Sequence, residues 1–324
     1  MSLDFGSFLD ASHLRLDAAR RGDGYARTEG ASEPDLYGTA AAVGIRTALG
    51  STPRGRERHA LADAVRAFQD ADGRFCDHTH GVMHRTATGT ATLRLLGEPS
   101  PPPGFLTDLF RAKAVAPFLD RLDWGNPWLA SHDVAGLLAI GLATGVDDPG
   151  WLAAYVDWLA VNADPATGLW RRGGMGRLDE FPGLFGNLGG AFHMHFLLDA
   201  LSRPWPHAGA VVDTGMVLFH DTAIVRPAPG SPLSGWGFPQ LDWAYSVGRA
   251  AGRTGHRHGQ VRAAVVELAR AASVTFDRPE ATAGDLHVVQ ARVALVAELA
   301  AQLGTELETG GRVLRPITDA RPFI

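Results

Sequence analysis

The chain has 324 residues, 45% of them hydrophobic and 20% charged, with a net charge of −5. That composition excludes a disordered chain and allows a large buried core, while the acidic balance argues against a nucleic-acid partner, which needs a basic face. A lone cysteine, Cys76, excludes an internal disulfide, no apolar run approaches the ~18 residues of a membrane span, and the opening MSLDFGSFLD lacks the basic-then-apolar order of a secretory signal; a cytoplasmic protein without a membrane span is expected.

In chain order, residues 5–21 predict a helix that is wet on one side, and Asp35–Gly50 a helix that is apolar nearly all round. The same couple recurs as 56–70 with His84–Gly97, 106–122 with His132–Gly145, and 149–162 with Asn187–Leu201. It recurs again as 208–224 with Asp242–Gly255, and 257–276 with Asp285–Gly304. The stretch His59–Gln69 shows the first kind, with Leu61, Val65 and Phe68 on one face and Arg and Asp on the other. The second kind is rich in Ala and Gly, which let neighbours pack closely, and often ends on Gly, the expected C-terminal cap. Six wet and six dry helices in alternation are a degenerate internal repeat. They predict one all-α domain over 1–324, the dry helices inside and the wet ones around them, with 305–324 as a surface tail. An open superhelical array of the HEAT or TPR kind is the alternative; the long Gly-, Pro- and Trp-rich crossings favour a closed ring. No strand-period alternation occurs, and the Gly-rich fragments follow no predicted strand, so they carry no dinucleotide signal.

The segment Gln69-Asp70-Ala71-Asp72-Gly73-Arg74-Phe75 resembles the Q-x-x-D-G-x-F/W turn between paired helices of triterpene cyclases and protein prenyltransferases. Asn162-Ala163-Asp164-Pro165-Ala166-Thr167-Gly168-Leu169-Trp170 looks like a second copy, and Gly235-Trp236-Gly237-Phe238 like a worn third. In those families the motif is a structural staple. The resemblance therefore implies an (α/α)6 toroid, a fold that also carries polysaccharide lyases, uronyl hydrolases, uronyl epimerase domains and peptide cyclases, and it implies no particular chemistry.

On such a fold the site lies where the crossings enter the inner helices. Thirteen residues before Gly50, Gly97, Gly145 and Gly255 stand Tyr37, His84, His132 and Asp242, each a polar side chain in the first turns of a dry helix, where burial without a partner is costly. Asp35, Asp242 and Asp285 read equally well as helix caps. His78, His80, His193, His195 and His287 crowd the same entries; His193 and His195 cannot share a helix face. Cys76-x-His78-x-His80 is not a standard zinc spacing, so no metal and no organic cofactor are expected.

Class II terpenoid cyclases use a D-x-D-D acid that this sequence lacks; His220-Asp221-Thr222-Ala223 copies its tail only at the end of an outer helix. Trp faces stack on sugars, Arg pairs with carboxylates, and His, Tyr and Asp move protons. Trp128, Trp170 and Trp236, with Arg27, Arg171 and Arg172, make a sugar-binding set, and they read equally well as pins of long loops. The expected enzyme acts on a small-molecule carbohydrate or glycoside, with uronic acids included, as lyase, epimerase or hydrolase. His84, His132 or His193 serves as base and Tyr37 or Tyr245 as acid; in a hydrolase, Asp35, Asp133, Asp242 and Asp285 supply the carboxyls. A terpenoid cyclase or prenyl-substrate transferase with an unusual acid, and a non-enzymatic scaffold, are the alternatives.

Overall fold

The computed structural model describes residues 3–170, 184–221, 223–320 and 323, and these fold into twelve α-helices with strands only two residues long. The helices are α1 (Gly6–Ala19), α2 (Leu36–Ala48), α3 (Gly55–Arg66), α4 (Val82–Leu95), α5 (Ala112–Asp120), α6 (Pro127–Thr144), α7 (Pro149–Asn162), α8 (Leu184–Ala200), α9 (Ala208–Asp221), α10 (Phe238–Thr254), α11 (His258–Phe276) and α12 (Leu286–Leu303). Each falls on a segment whose periodicity predicts a helix. The largest boundary shift is at α5, which begins at Ala112 because the run Pro101-Pro102-Pro103 feeds a short 3-10 turn, Gly104–Leu106, and proline supplies no N–H to an α-helical ladder.

The even-numbered helices are buried nearly all round: in α2 every residue but Arg46 is inside. The odd-numbered ones bury a single stripe, as α3 does with Leu61, Ala62 and Val65. Caps set the entries. The Asp35 carboxylate accepts the Gly38 N–H at 2.7 Å and the Arg27 N–H at 2.6 Å, Asn126 accepts Leu129 N–H, and Asp285 accepts His287 N–H at 2.9 Å. Among the even helices α2 packs on α4, α4 on α6, α6 on α8, α8 on α10 and α10 on α12, and α12 packs on α2.

Both copies of the paired-helix motif make the same turn. Asp70 Oδ1 accepts the N–H groups of Asp72 and Arg74, Gln69 donates to the Gly73 carbonyl, and Gln69 and Phe75 face each other as an isolated bridge. In the second copy Asp164 accepts Ala166 N–H and Ala163 bridges Trp170. Gly73 and Gly168 sit at φ +85° and +72°, the left-handed region that favours glycine. The turn ties the outer helix to its own exit and delivers Phe75 and Trp170 into the core.

Two features depart from expectation. The stretch after 305 runs exposed for most of its length yet is anchored at several points: Leu3–Asp4 pairs in parallel with Leu307–Glu308, Arg315 N–H bonds the Ala48 carbonyl, and Ile317 and Phe323 are 1% and 3% exposed. Apolar side chains in an otherwise polar tail gain by leaving water. Leu286–Glu306 is also long and apolar enough to cross a membrane by length and composition, with 78% of the apolar window buried inside the protein.

Candidate active site

Five imidazoles meet near the N-terminal ends of the even helices. Tyr37 is the second residue of α2, and its hydroxyl lies 2.6 Å from His84 Nδ1, on the first turn of α4. His80, from the crossing before α4, stacks on His84 with ring centres 4.3 Å apart and planes 12° from parallel. His132 of α6 meets His84 edge-on at 4.6 Å, and His193 of α8 lies 5.6 Å beyond. His287, second residue of α12, closes on Tyr37 at 5.4 Å. Trp128 covers His132 and His193 at 5.5 and 5.6 Å, and Phe238 packs on His287.

Burial lowers His80, His84, His132 and His287 and so favours their neutral forms. His84 is held well below the ordinary imidazole range, first by desolvation and then by the neighbouring imidazoles. Desolvation brings His132 and His287 to about 4 and pushes the Tyr37 phenol up. Arg27 adds to the depression at His80 and His287, and helix N-termini, with their partial positive charge, disfavour imidazolium further. In the Tyr37–His84 pair, either the phenol donates to a bare Nδ1 or Nδ1–H donates to the phenol oxygen; both leave the ring uncharged. At His193 the choice is made. The Ser131 hydroxyl donates to the Trp128 carbonyl at 2.7 Å, so it accepts from His193 Nδ1–H at 3.1 Å.

Asp242, fifth residue of α10, is 1% exposed. Its Oδ2 has no hydrogen-bond partner, and burial raises the carboxyl well above its ordinary range. A methyl on Gly189 of α8 would sit 2.5 Å from Trp128 and 3.0 Å from Asp242 Oδ2; the carboxyl and the indole thus share one patch of α8. At the rim Arg27 pairs through Nε with both oxygens of Asp285, at 2.9 and 2.8 Å, and lies 5.6 Å from the centre of the Tyr37 ring.

The remaining expected residues border the cluster as caps or lie away from it. Asp35 and Asp285 serve as caps, and their positions follow from that work. Asp133 is half-buried, one residue on from His132, and acts on Tyr155 of α7. Tyr245 donates to Asp199 at 2.7 Å and stacks under Arg249, in a separate network with Glu298 and Asp319. Trp170 and Trp236 are each 1% exposed and spend their indole N–H on Leu159 O and Ser231 Oγ, so they present no face to a ligand. Arg292, its guanidinium buried against the carbonyls of Leu233, Trp236 and Ala281, holds the Trp236 loop. Arg171 and Arg172 lie outside the described residues. His195 bonds Ser246 at 3.0 Å and stacks on Trp205, away from the other five. Asp221 ends α9, exposed.

Of Cys76, His78 and His80, only His80 turns inward; Cys76 and His78 are exposed. Among the described residues no group of three or more His, Cys, Asp or Glu has the spacing to hold a metal ion: the imidazoles meet ring against ring, not nitrogen toward a common point. Ser131, Gln290 and Phe323 carry no signal in the sequence that would single them out. Gln290 Oε1 accepts from His287 Nδ1–H, 3.3 Å away, and Phe323 lies 4.9 Å from His84 and stacks on His193 at 5.5 Å. Arranged this way, the cluster offers neutral nitrogen bases, a phenol, a protonated carboxyl and one open aromatic face. Comparison with protein-family models, with curated proteins and with solved structures finds no match to this chain.

Proposed function

We propose that the chain is an (α/α)6 toroid whose central chamber carries out proton abstraction and return on a carbohydrate, as a lyase or epimerase acting beside a carboxylate. The succession of inner-helix contacts that ends with α12 on α2 supports the toroid. The observation that carries the chemistry is the 2.6 Å Tyr37–His84 contact beside His80, His132 and His287, which burial depresses as it does His84. A base for a carbon acid must be unprotonated at working pH and within reach of a group that passes the proton on. The hydrolase reading loses ground because it needs two free carboxyls, and of the four expected only Asp242 has neither a capping role nor an outward aspect.

In this mechanism the substrate ring lies on Trp128, with its carboxylate toward Arg27, whose Nε alone is engaged by Asp285. His84, its Nδ1–H donating to the Tyr37 hydroxyl, takes the proton from the carbon next to the carboxylate on Nε2 and holds it as an imidazolium that the phenol oxygen steadies. In elimination the electron pair of that C–H bond becomes the new C=C bond, the neighbouring C–O bond breaks, and the leaving oxygen takes the proton that Asp242 holds. In epimerisation a proton returns from the opposite face.

Uronate-containing oligosaccharides incubated in D2O test this. Wild type is expected to exchange the C5 hydrogen or to release an unsaturated, ultraviolet-absorbing product, and Tyr37→Phe and His84→Gln are expected to lose at least a hundredfold in rate with the circular dichroism unchanged. Full exchange in His84→Gln sinks the assignment.

One observation favours a second reading, a cyclase of apolar prenyl substrates: burial keeps the proton on Asp242, which shares the Gly189 patch of α8 with Trp128, as an acid for an alkene needs. The crowd of imidazole bases counts against it, since each would quench a carbocation. Stabilisation of the protein by a prenyl diphosphate, with none by sugars, would reverse the order.

A further inference from the structure

Toward the ends of α10 and α12 remote from Asp242 and His287, these two helices and α11 part around a cavity of about 310 Å3. The three helices pack pairwise elsewhere, and the residues at this level explain the opening. α10 lines it with Gly248, Ala251 and Gly252, none of which carries a side chain beyond a methyl. A methyl on Gly252 would touch nothing within 4 Å. Val261 and Val265 of α11 and Leu303 of α12 supply apolar walls, all buried. The space equals that of about ten waters in the liquid, whereas side chains in protein interiors otherwise interdigitate at crystal density.

The polar lining consists of Arg249, His258, Arg262 and Gln302, with no carboxylate among the lining residues. Arg249 is spent on Glu298 and Asp319, and the Gln302 amide donates to the Ala244 carbonyl and to Glu298. Arg262 is less committed. It gives Glu306 only Nη2, which leaves Nε and Nη1 for another acceptor, and its side chain is 43% exposed. His258 stands four residues before it on the same face of α11. Apolar walls under a cationic edge suit a small molecule with an apolar body and an anionic head. We propose that this cavity binds an amphipathic monocarboxylic acid of about eight carbons, its carboxylate on Arg262 and its apolar body against Val261, Val265 and Leu303. The site is separate from the histidine cluster and does not rest on the chemistry proposed there.

The test is a titration of the full chain with sodium octanoate, 1-octanol and octylammonium chloride, followed by 15N–1H NMR. Octanoate is expected to bind and to shift the amide signals of Gly252, Val261 and Leu303, while those of His84 and His132 stay in place. Octylammonium is expected to bind at least tenfold more weakly than octanoate, with octanol between the two. Gly252→Leu fills the cavity with its own side chain, and Arg262→Gln removes the charge at its edge. Each is expected to weaken octanoate at least tenfold. Affinity should also rise from butyrate to octanoate and level off at dodecanoate, which outgrows the walls. Four outcomes overturn the proposal: no binding of octanoate, equal binding of all three probes, shifts confined to the histidine cluster, or binding undiminished by either substitution. If Gly252→Leu does not fold, Arg262→Gln, on the exposed side of α11, carries the comparison alone, and undiminished binding there overturns the proposal. No carbohydrate enters the measurement, so the fate of the proton-transfer reading leaves its result unchanged.

Discussion

Asp242 is the residue on which burial acts most plainly. A carboxyl that is 1% exposed, with a bare Oδ2 and no cation beside it, stays protonated in the folded protein, while in the unfolded chain it ionises near pH 4. The sign follows. The contribution is fully present below the unfolded midpoint and drains away as pH rises toward the folded one, at about 1.4 kcal/mol per pH unit. Asp242→Asn removes the ionisation and keeps the shape. Its stability relative to wild type is expected to climb by about that slope between pH 5 and 6.5, as read from urea midpoints; a flat difference would mean that the carboxyl is ionised inside.

At the scale of elements, the paired-helix turn delivers a ring into the next inner helix. Phe75 lands on Gly89 of α4, where a methyl would lie 2.4 Å from its ring carbons. Gly89→Ala is therefore expected to destabilise by roughly 1–3 kcal/mol, the usual range for overpacking, and Phe75→Leu in the same chain to recover part of it; thermal midpoints of the two single variants and the double give the coupling. These elements were legible in the sequence because they depend on local periods. The thirteen-residue offset from the terminal glycines found Tyr37, His84, His132 and Asp242 because equal lengths of helix counted back from the capped ends reach one level, whether the helix has 13 residues or 18. Direction within a loop was not legible. Trp170 and Trp236 look like Trp128 in sequence, yet their indole N–H groups find carbonyl and hydroxyl partners inside, a choice made by contacts 5 to 11 residues away. Asp35 and Asp285 read equally as caps and as catalysts, and only the bonds to Gly38 and His287 N–H separate the two. Phe323 was hidden because the contacts that draw it inward join it to α4 and α8, far along the chain.

For the molecule as a whole, the histidines govern behaviour in acid. His84, His132, His195 and His287 are neutral in the fold below their ordinary midpoint, with His132 and His287 at about 4 and His195 at about 3. The unfolded chain takes up a proton on each as pH falls through about 6.5. The stability they represent is intact above that value and lost as pH drops toward the folded midpoints; His80, also depressed, adds to it, and the raised carboxyls Asp242, Asp35 and Asp133 oppose it. The depressed imidazoles outnumber the raised carboxyls, which leaves a net uptake of about two protons on unfolding near pH 5, or roughly 3 kcal/mol per pH unit. A sharp acid transition between about pH 4.5 and 6 is expected, and His132→Gln should lower the slope of stability against pH by about one proton. Urea midpoints at pH 7, 6 and 5 measure both, and a slope near zero would mean that the imidazoles are hydrated in the folded protein.

The pairing of Leu3–Asp4 with Leu307–Glu308 fastens the first helix of the repeat to the last, and the chain beyond it turns inward. Traction applied to the two ends of the described chain thus reaches the inward strand before it reaches the clasp, and the clasp before any helix. Among the described residues Phe323 meets the load first, at its contacts with His84 and His193, and the packing of Ile317, the Asp319–Arg249 pair and the Arg315–Ala48 bond come after it.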